Sequence, residues 1–199
     1  MKNSDEFTGH VILVMAPTGS GKGTLEQHVL TCFHELLFVV SCTTRAMRPG
    51  EVQDREYHFI TKEAFTEKIT QGDFLEWAEF SGNFYGTLKS ELVEPLQTGK
   101  VILHEIELQG IEQIKPIVPK KNRTIVYIDA GSWEDSVRRA VARAPMSEAE
   151  LIMRKERYDH EVAALPYADI VIDNRDGKLD NAKQAMVEIV QNIFDNVAR

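Results

Sequence analysis

Val11-Ile12-Leu13-Val14-Met15-Ala16-Pro17-Thr18-Gly19-Ser20-Gly21-Lys22-Gly23-Thr24 decides how the rest of the chain is read. It is an apolar run, then a glycine-rich turn, then a lysine that opens a helix. Such a turn points its backbone N–H groups inward and makes a nest for anions. Gly19 and Gly21 let the backbone approach phosphate oxygens without a Cβ in the way. Lys22 can reach the outer phosphates of a nucleoside triphosphate as a point charge. The strict pattern G-x-x-x-x-G-K-[ST] has glycine first and a hydroxyl after the lysine. Here Ala16 and Gly23 hold those places, so a glycine-rich turn with no ligand is the plain alternative.

Working outward, apolar runs alternate with helical patterns. Strands are expected at about 10–16, Phe38–Cys42, Phe74–Phe80, Val101 onward, Thr124–Ile128 and Asp169–Asp173. Helices are expected from the loop to about 36, from Thr61 as N-cap to Gly72, at 88–98, from Ser132 to about Arg143, at about 147–164, and at the C-terminus. This alternation predicts an α/β fold with a parallel sheet covered on both faces. The stretch at about 44–87 is strand-rich, interrupts the alternation, and reads as an inserted lobe.

Composition narrows the classes. The 199 residues are 43% hydrophobic and 27% charged, which suits a buried core in one domain, with or without inserted lobes. The net charge of −8 opposes bulk nucleic-acid binding, so any polyanion must be held by local cations. No apolar run is long enough for a bilayer, and the N-terminus has no signal-peptide pattern, so a cytoplasmic protein is expected. Cys32 and Cys42 lack metal or disulfide spacing and read as reduced thiols.

Ser41-Cys42-Thr43-Thr44-Arg45-Ala46-Met47-Arg48-Pro49-Gly50-Glu51 places two arginines three apart beside a turn. Alone they read as solvated surface, although guanidinium groups suit bidentate phosphate binding. Glu76-Trp77-Ala78-Glu79-Phe80-Ser81-Gly82-Asn83-Phe84-Tyr85-Gly86-Thr87 adds a carboxylate, a phenol and a hydroxyl. Glu76 alone would read as an exposed strand carboxylate. With Tyr57 and the run Leu103-His104-Glu105-Ile106-Glu107-Leu108-Gln109-Gly110, these stretches closely resemble the guanylate kinase family in order and spacing.

The resemblance implies a P-loop kinase three-layer sandwich: a parallel core sheet, an inserted GMP-binding lobe and a short helical lid. The core would be residues 1–43 and 88–199, the lid about 139–154, and the lobe 44–87. It implies transfer of the γ-phosphoryl of ATP to GMP, and to dGMP, with Mg²⁺ as cofactor. It implies neither nucleic acid nor a membrane as partner, and leaves monomer and homodimer open. Thr18, Gly19, Ser20, Gly21, Lys22, Gly23 and Thr24 would cradle the ATP phosphates. Arg45, Arg48, Tyr57 and Tyr85 would hold the GMP phosphate, with Glu51 orienting the arginines. Glu76 would accept from guanine N1–H and the 2-amino group, with Ser41 and Thr87 on the O6 side and Glu107 toward base or ribose. Lys22, Arg45, Arg139, Arg143 and Arg154 would carry catalysis. Thr24, and Glu105 through water, would face the metal.

Alternation along the strand puts Glu105 and Glu107 on one side and His104 on the other, where a structural role is expected. The family's lid pattern has glycine after the second arginine, whereas Ala144-Pro145 follow Arg143 and should stiffen a hinge. Ala130-Gly131 stand where the family often has Pro-Pro, and Asp173-Asn174 where it often has Asn-Asp, so the adenine contacts are left open. Arg138 reads as helix surface. Two alternatives stand: a non-catalytic module of the same fold, opposed by Gly19, Gly21, Lys22 and Thr24, and a P-loop kinase for another small phosphate ester, opposed by Glu76, Ser41 and Thr87.

Overall fold

A computed structural model describes residues 7–80, 82–143 and 146–198, and the side chain of Arg143 lies outside the described part. The Ala144-Pro145 hinge and Ser81 therefore also lie outside the described residues.

The first strand, β1 (His10–Met15), is buried along nearly its whole length. Val11, Leu13 and Met15 pack into one apolar cluster, and Ile12 and Val14 into another. A strand whose successive side chains are all apolar must be covered on both faces, and this one is. Loop residues then lead into α1 (Lys22–Cys32), which is shorter than its apolar pattern suggested. β2 (Leu37–Val39) follows.

The expected single strand at Phe38–Cys42 is two strands. After Val39 the chain leaves the large sheet, and β3 (Cys42–Thr43) joins a second one. Five consecutive apolar or small residues read as one strand, because periodicity cannot see a change of hydrogen-bonding partner. The second sheet is completed by β4 (His58–Phe59), β5 (Phe74–Phe80) and β6 (Asn83–Leu88), in the order β4-β3-β6-β5. Between β4 and β5 runs α2 (Lys62–Gln71), with the Thr61 hydroxyl accepting from the Ala64 N–H as N-cap. Gly72 closes the helix in the left-handed region at φ 72°. Phe65, Phe74 and Cys42 form the small core under this sheet.

The chain returns to the large sheet through α3 (Lys89–Gln97) and β7 (Val101–Glu105). β7 stops at Glu105. Glu107 is the N-cap residue of α4 (Leu108–Ile114), a short helix that the sequence pattern did not reveal. Glu105 and Glu107 thus do not sit on one strand face as expected, because the backbone turns into a helix between them.

β8 (Arg123–Asp129), α5 (Trp133–Arg143), α6 (Glu148–Val162), β9 (Ile170–Asp173) and α7 (Leu179–Val197) complete the chain. The large sheet is parallel throughout, in the order β2-β7-β1-β8-β9. Helices α3 and α4 cover one face, α1 and α7 the other, and the two apolar clusters lie between. Ser132 caps α5 through its bond with the Asp135 N–H, and Ser147 with Glu150 forms a full capping box at the start of α6. The small sheet docks on the core through α4, where Gln113 accepts from the Trp77 N–H at 3.3 Å and donates to the Trp77 carbonyl at 2.9 Å.

Leu103 in β7 is fully buried in the cluster beneath α1 and α7. Leu103→Ala should lower stability by roughly 2–5 kcal/mol through lost transfer energy and a residual cavity. Denaturant titration should show a lower midpoint with an unchanged slope.

Candidate active site

The loop after β1 is built as its glycines require. Gly19 and Gly21 have φ of 79° and 81°, in the region that side chains with a Cβ seldom adopt. Both are also crowded. A Cβ on Gly19 would meet the Ser136 carbonyl oxygen at 2.8 Å, and one on Gly21 the Asn174 amide nitrogen at 2.7 Å. Asn174, buried at the end of β9, donates to the Ser20 carbonyl at 2.6 Å. From α6, Glu161 accepts from the Thr18 N–H at 2.7 Å, and Arg154 donates to the Thr18 hydroxyl at 3.1 Å. Elements from residues 136–174, far along the chain from the loop, therefore hold it. The residues from Ala16 to Thr24 line one pocket, with Gly23 and Thr24 exposed.

Lys22 Nζ donates to Glu105 at 2.5 Å, tying the loop to the end of the neighbouring strand. Burial opposes the charge on Glu105, but the Lys22 ammonium beside it holds its carboxyl down at about 2. Burial likewise opposes the charge on Lys22, and the ionised Glu105 beside it keeps its pKa above the ordinary value. Glu26, buried in α1, is pushed up to about 9, first by burial and then by Glu105. At neutral pH it is a neutral acid, which avoids a second bare carboxylate behind the ion pair.

The adjoining pocket, about 290 Å³, lies between the ends of β1 and β7 and the small sheet. Ser41, Tyr57, Glu76, Tyr85, Glu105 and Glu107 all line it. Glu76 is 8% exposed and Thr87 fully buried, and the Thr87 hydroxyl donates to Glu76 at 2.5 Å. Burial pushes the Glu76 carboxyl up to about 7, against the lowering effect of that hydrogen bond. Thr87 Oγ1 also stands 2.9 Å from His104 Nε2. With the single hydroxyl proton directed at Glu76, a neutral His104 with its proton on Nε2 can donate to the same oxygen. His104 is fully buried, and burial lowers it to about 4, which keeps it neutral. Its structural role is therefore to fix the hydroxyl behind Glu76. Gly110 in α4 backs the same carboxylate, since a Cβ there would meet Glu76 Oε2 at 2.8 Å. Ser41 Oγ lies 3.4 Å from Thr87 Oγ1.

The arginines are distributed differently from the lining acids. Arg45 forms a two-pronged pair with Glu51, at 3.0 and 2.9 Å, and its guanidinium lies 5.5 Å from the centres of both the Tyr57 and Phe59 rings. Glu51 also accepts from the Arg48 N–H at 2.8 Å, while the Arg48 side chain is exposed. The Arg45 bond holds the Glu51 carboxyl below its ordinary range. Tyr57 and Tyr85 meet edge to face at 5.9 Å. Arg139 pairs with Asp176 and donates to the Asn174 carbonyl, and Arg138 pairs with Asp135 and Asp176. Neither Arg138 nor Arg139 lines either pocket. Sequence reasoning did not single out Arg157, Glu161, Gln113 or Glu26. Charge spacing along α6 offered a signal only for the i, i+4 pair of Arg157 and Glu161.

A phosphate loop at the end of a parallel strand, facing a polar pocket carried by a second small sheet, defines a P-loop nucleoside monophosphate kinase. A family profile described as guanylate kinase matches residues 8–193. The guanylate kinase of Rubrobacter xylanophilus is 40% identical over 93% of this chain and 95% of its own length. That of Trichormus variabilis is 40% identical over 85% of this chain and 84% of its own. The crystal structure of guanylate kinase from Anaplasma phagocytophilum superposes with a TM-score of 0.70 at 23% identity, covering 94% of this chain and 86% of that one, which speaks to the fold. The chain belongs to the guanylate kinase family and is a phosphotransferase. Among the described residues, no helix is long and apolar enough to cross a membrane.

Gly21→Ala combines a strained φ with a clash against Asn174, and it should cost about 1–2 kcal/mol of stability. ATP binding should weaken by more than the melting shift alone explains, because the displaced Asn174 no longer holds the Ser20 carbonyl. Thermal melts with and without ATP separate the two effects.

Proposed function

We propose that the chain transfers the γ-phosphoryl of ATP to GMP, and to dGMP, giving ADP and GDP or dGDP. The observation that carries this reading is the buried Glu76–Thr87–His104 chain opening into the pocket that adjoins Lys22. Guanine presents two adjacent donors, N1–H and the 2-amino group, to one carboxylate. Adenine has neither donor there, and a buried acceptor left unpaired penalises the wrong base strongly.

In this reading the acceptor is held by the small sheet, whose strands run from Cys42 to Leu88 and so extend past the lobe expected at 44–87, with Ser41 and Glu107 at its edge; the donor is held by the rest of the chain, with a lid at about 139–154. The loop from Thr18 to Thr24 binds the ATP phosphates through backbone N–H groups, and Lys22 reaches the γ-phosphoryl. Arg45, Arg48, Tyr57 and Tyr85 hold the GMP phosphate. Glu51 keeps the Arg45 fork pre-oriented, so less side-chain freedom is lost on binding. Ser41 and Glu107 border the base. A phosphate oxygen of GMP forms the new P–O bond to the γ-phosphorus. The bond to the bridging oxygen breaks, and its electron pair stays on the β-phosphate of ADP. The protein contributes positioning and positive charge more than bond chemistry. Arg139, Arg143 and Arg154 are assigned to the lid side of that charge.

The donor set at the loop fits a hydrated Mg²⁺ that travels with the phosphates. It consists of oxygens only: the exposed Thr24 hydroxyl, and the ionised Glu105 carboxylate through water. When bound, the ion would neutralise charge on the β- and γ-phosphate oxygens. A cytoplasmic enzyme acting on free nucleotides, as a monomer or homodimer, agrees with this reading.

The test is ADP release with GMP, dGMP, AMP, CMP and UMP as acceptors. Only the guanine nucleotides should turn over. Glu76→Gln should raise KM for GMP by about 10-fold or more while KM for ATP changes little. Equal losses for both substrates, or turnover with a non-guanine acceptor, would overturn base recognition by Glu76.

The pH dependence has a definite sign. Glu76 titrates near 7 and binds guanine as the ionised acceptor. KM for GMP should therefore rise as pH falls below about 7, approaching tenfold per pH unit. Glu76→Gln should remove this component of the profile, measured with initial rates from about pH 6 to 8.

A further inference from the structure

Arg157 lies three residues beyond Arg154 on α6, outside the lid pattern read from the sequence. The pocket of the phosphate loop and the pocket facing Glu76 share a boundary. Among the described residues, Lys22 and Arg157 are the two cationic side chains that line both. A phosphoryl group passing from a donor in the loop to an acceptor in the other pocket crosses between these two charges.

The surroundings of Arg157 are built rather than incidental. Its Nε donates to Glu161 at 2.7 Å, and an Nη donates to Glu107 at 2.9 Å. One face of the guanidinium covers the Phe80 ring at 5.2 Å. Glu161 also accepts from the Thr18 N–H, so the same carboxylate touches the loop and aims the arginine. These bonds use two of the five N–H groups of a guanidinium.

The two carboxylates are not equivalent. The Glu161 side chain is 13% exposed, the Glu107 side chain 47%. An exposed ion pair contributes little, so the bond to Glu107 is the one that yields to a stronger anion. The bond to Glu161 is the anchor. The opposite cation, Lys22, is held in the same manner by Glu105.

We propose that Arg157 is a further catalytic residue of this transfer: its guanidinium exchanges Glu107 for the phosphoryl group in transit, across from Lys22. The inference rests on the kinase reading above. No covalent bond to Arg157 forms or breaks. It donates hydrogen bonds to equatorial oxygens, whose charge is spread in a loose transition state and matches a planar fork. Phe80 holds the plane of that fork, and Glu161 sets its reach.

The experiment is the single-turnover rate of phosphoryl transfer from ATP to GMP by the full chain, with Arg157→Gln and Arg157→Ala compared with wild type. Gln keeps an N–H donor for Glu161 and serves where Ala lowers the melting point. Transfer should slow by about 10²-fold or more, as expected for loss of one transition-state donor. KM for ATP and GMP should change by less than about threefold. Guanidinium chloride, kept below denaturing levels, should restore at least about tenfold of the Ala variant's rate, because the missing donor set is supplied from solution. Folded variants with a transfer rate near wild type would overturn the proposal. So would a loss confined to GMP affinity, which would make Arg157 only a holder of Glu107. Wild-type protein that transfers nothing to GMP would overturn the kinase reading itself, a result distinct from failure of the variants alone.

Discussion

The site depends on keeping a glycine-rich loop in one conformation. Gly19 and Gly21 both sit in the left-handed region, and a loop with two such residues has no ladder of its own to hold it. What holds it is packing from outside: Asn174 from the end of β9, Glu161 and Arg154 from α6, and the Ser136 carbonyl of α5 against Gly19. The Lys22–Glu105 pair then fixes the loop to the strand beside β1. An anion nest that is already shaped loses little freedom when phosphate enters.

The second constraint is the change of sheet after Val39. Because β2 ends there and β3 starts at Cys42, the chain carries Ser41 across the gap between the sheets and leaves a polar cleft behind it. The cleft stays closed at its back because α4 clamps β5 through Gln113, and because Gly110 admits the Glu76 carboxylate. His104, on β7 of the large sheet, reaches Thr87 on the small sheet. A buried histidine of the core therefore orients a hydroxyl of the lobe, and the two sheets share one hydrogen-bond chain.

Opposite charges in and beside the cleft are arranged in pairs that differ in exposure. Arg45–Glu51 and Arg157–Glu161 are the better covered and act as anchors, whereas Arg157–Glu107 faces solvent. Anchored guanidinium groups keep their direction when a phosphate replaces the weaker partner, and this directional hold is what phosphoryl chemistry asks of the protein.

Read alone, the acids and arginines of the acceptor side look like solvated surface and take their roles only from the likeness to the family, whereas the phosphate loop, the parallel sheet and the caps at Thr61 and Ser132 could be read from the order of residues. Each rests on short-range rules: period-two apolar strands, capping hydroxyls, and glycines before a lysine. The split at Val39, the helix at Leu108–Ile114 and the turn between Glu105 and Glu107 could not. A strand's partner, or a short helix stabilised by packing on β5, is a long-range matter that leaves no local period. The same holds for Arg157, whose neighbours along the chain mark only a surface ion pair. The sequence by itself determined which chemistry the chain can carry, because residue type and spacing set the available donors, acceptors and backbone freedom. Tertiary structure alone decided which charges stand where the two pockets meet, because Lys22 and Arg157 are brought together by the packing of α6 against the loop after β1.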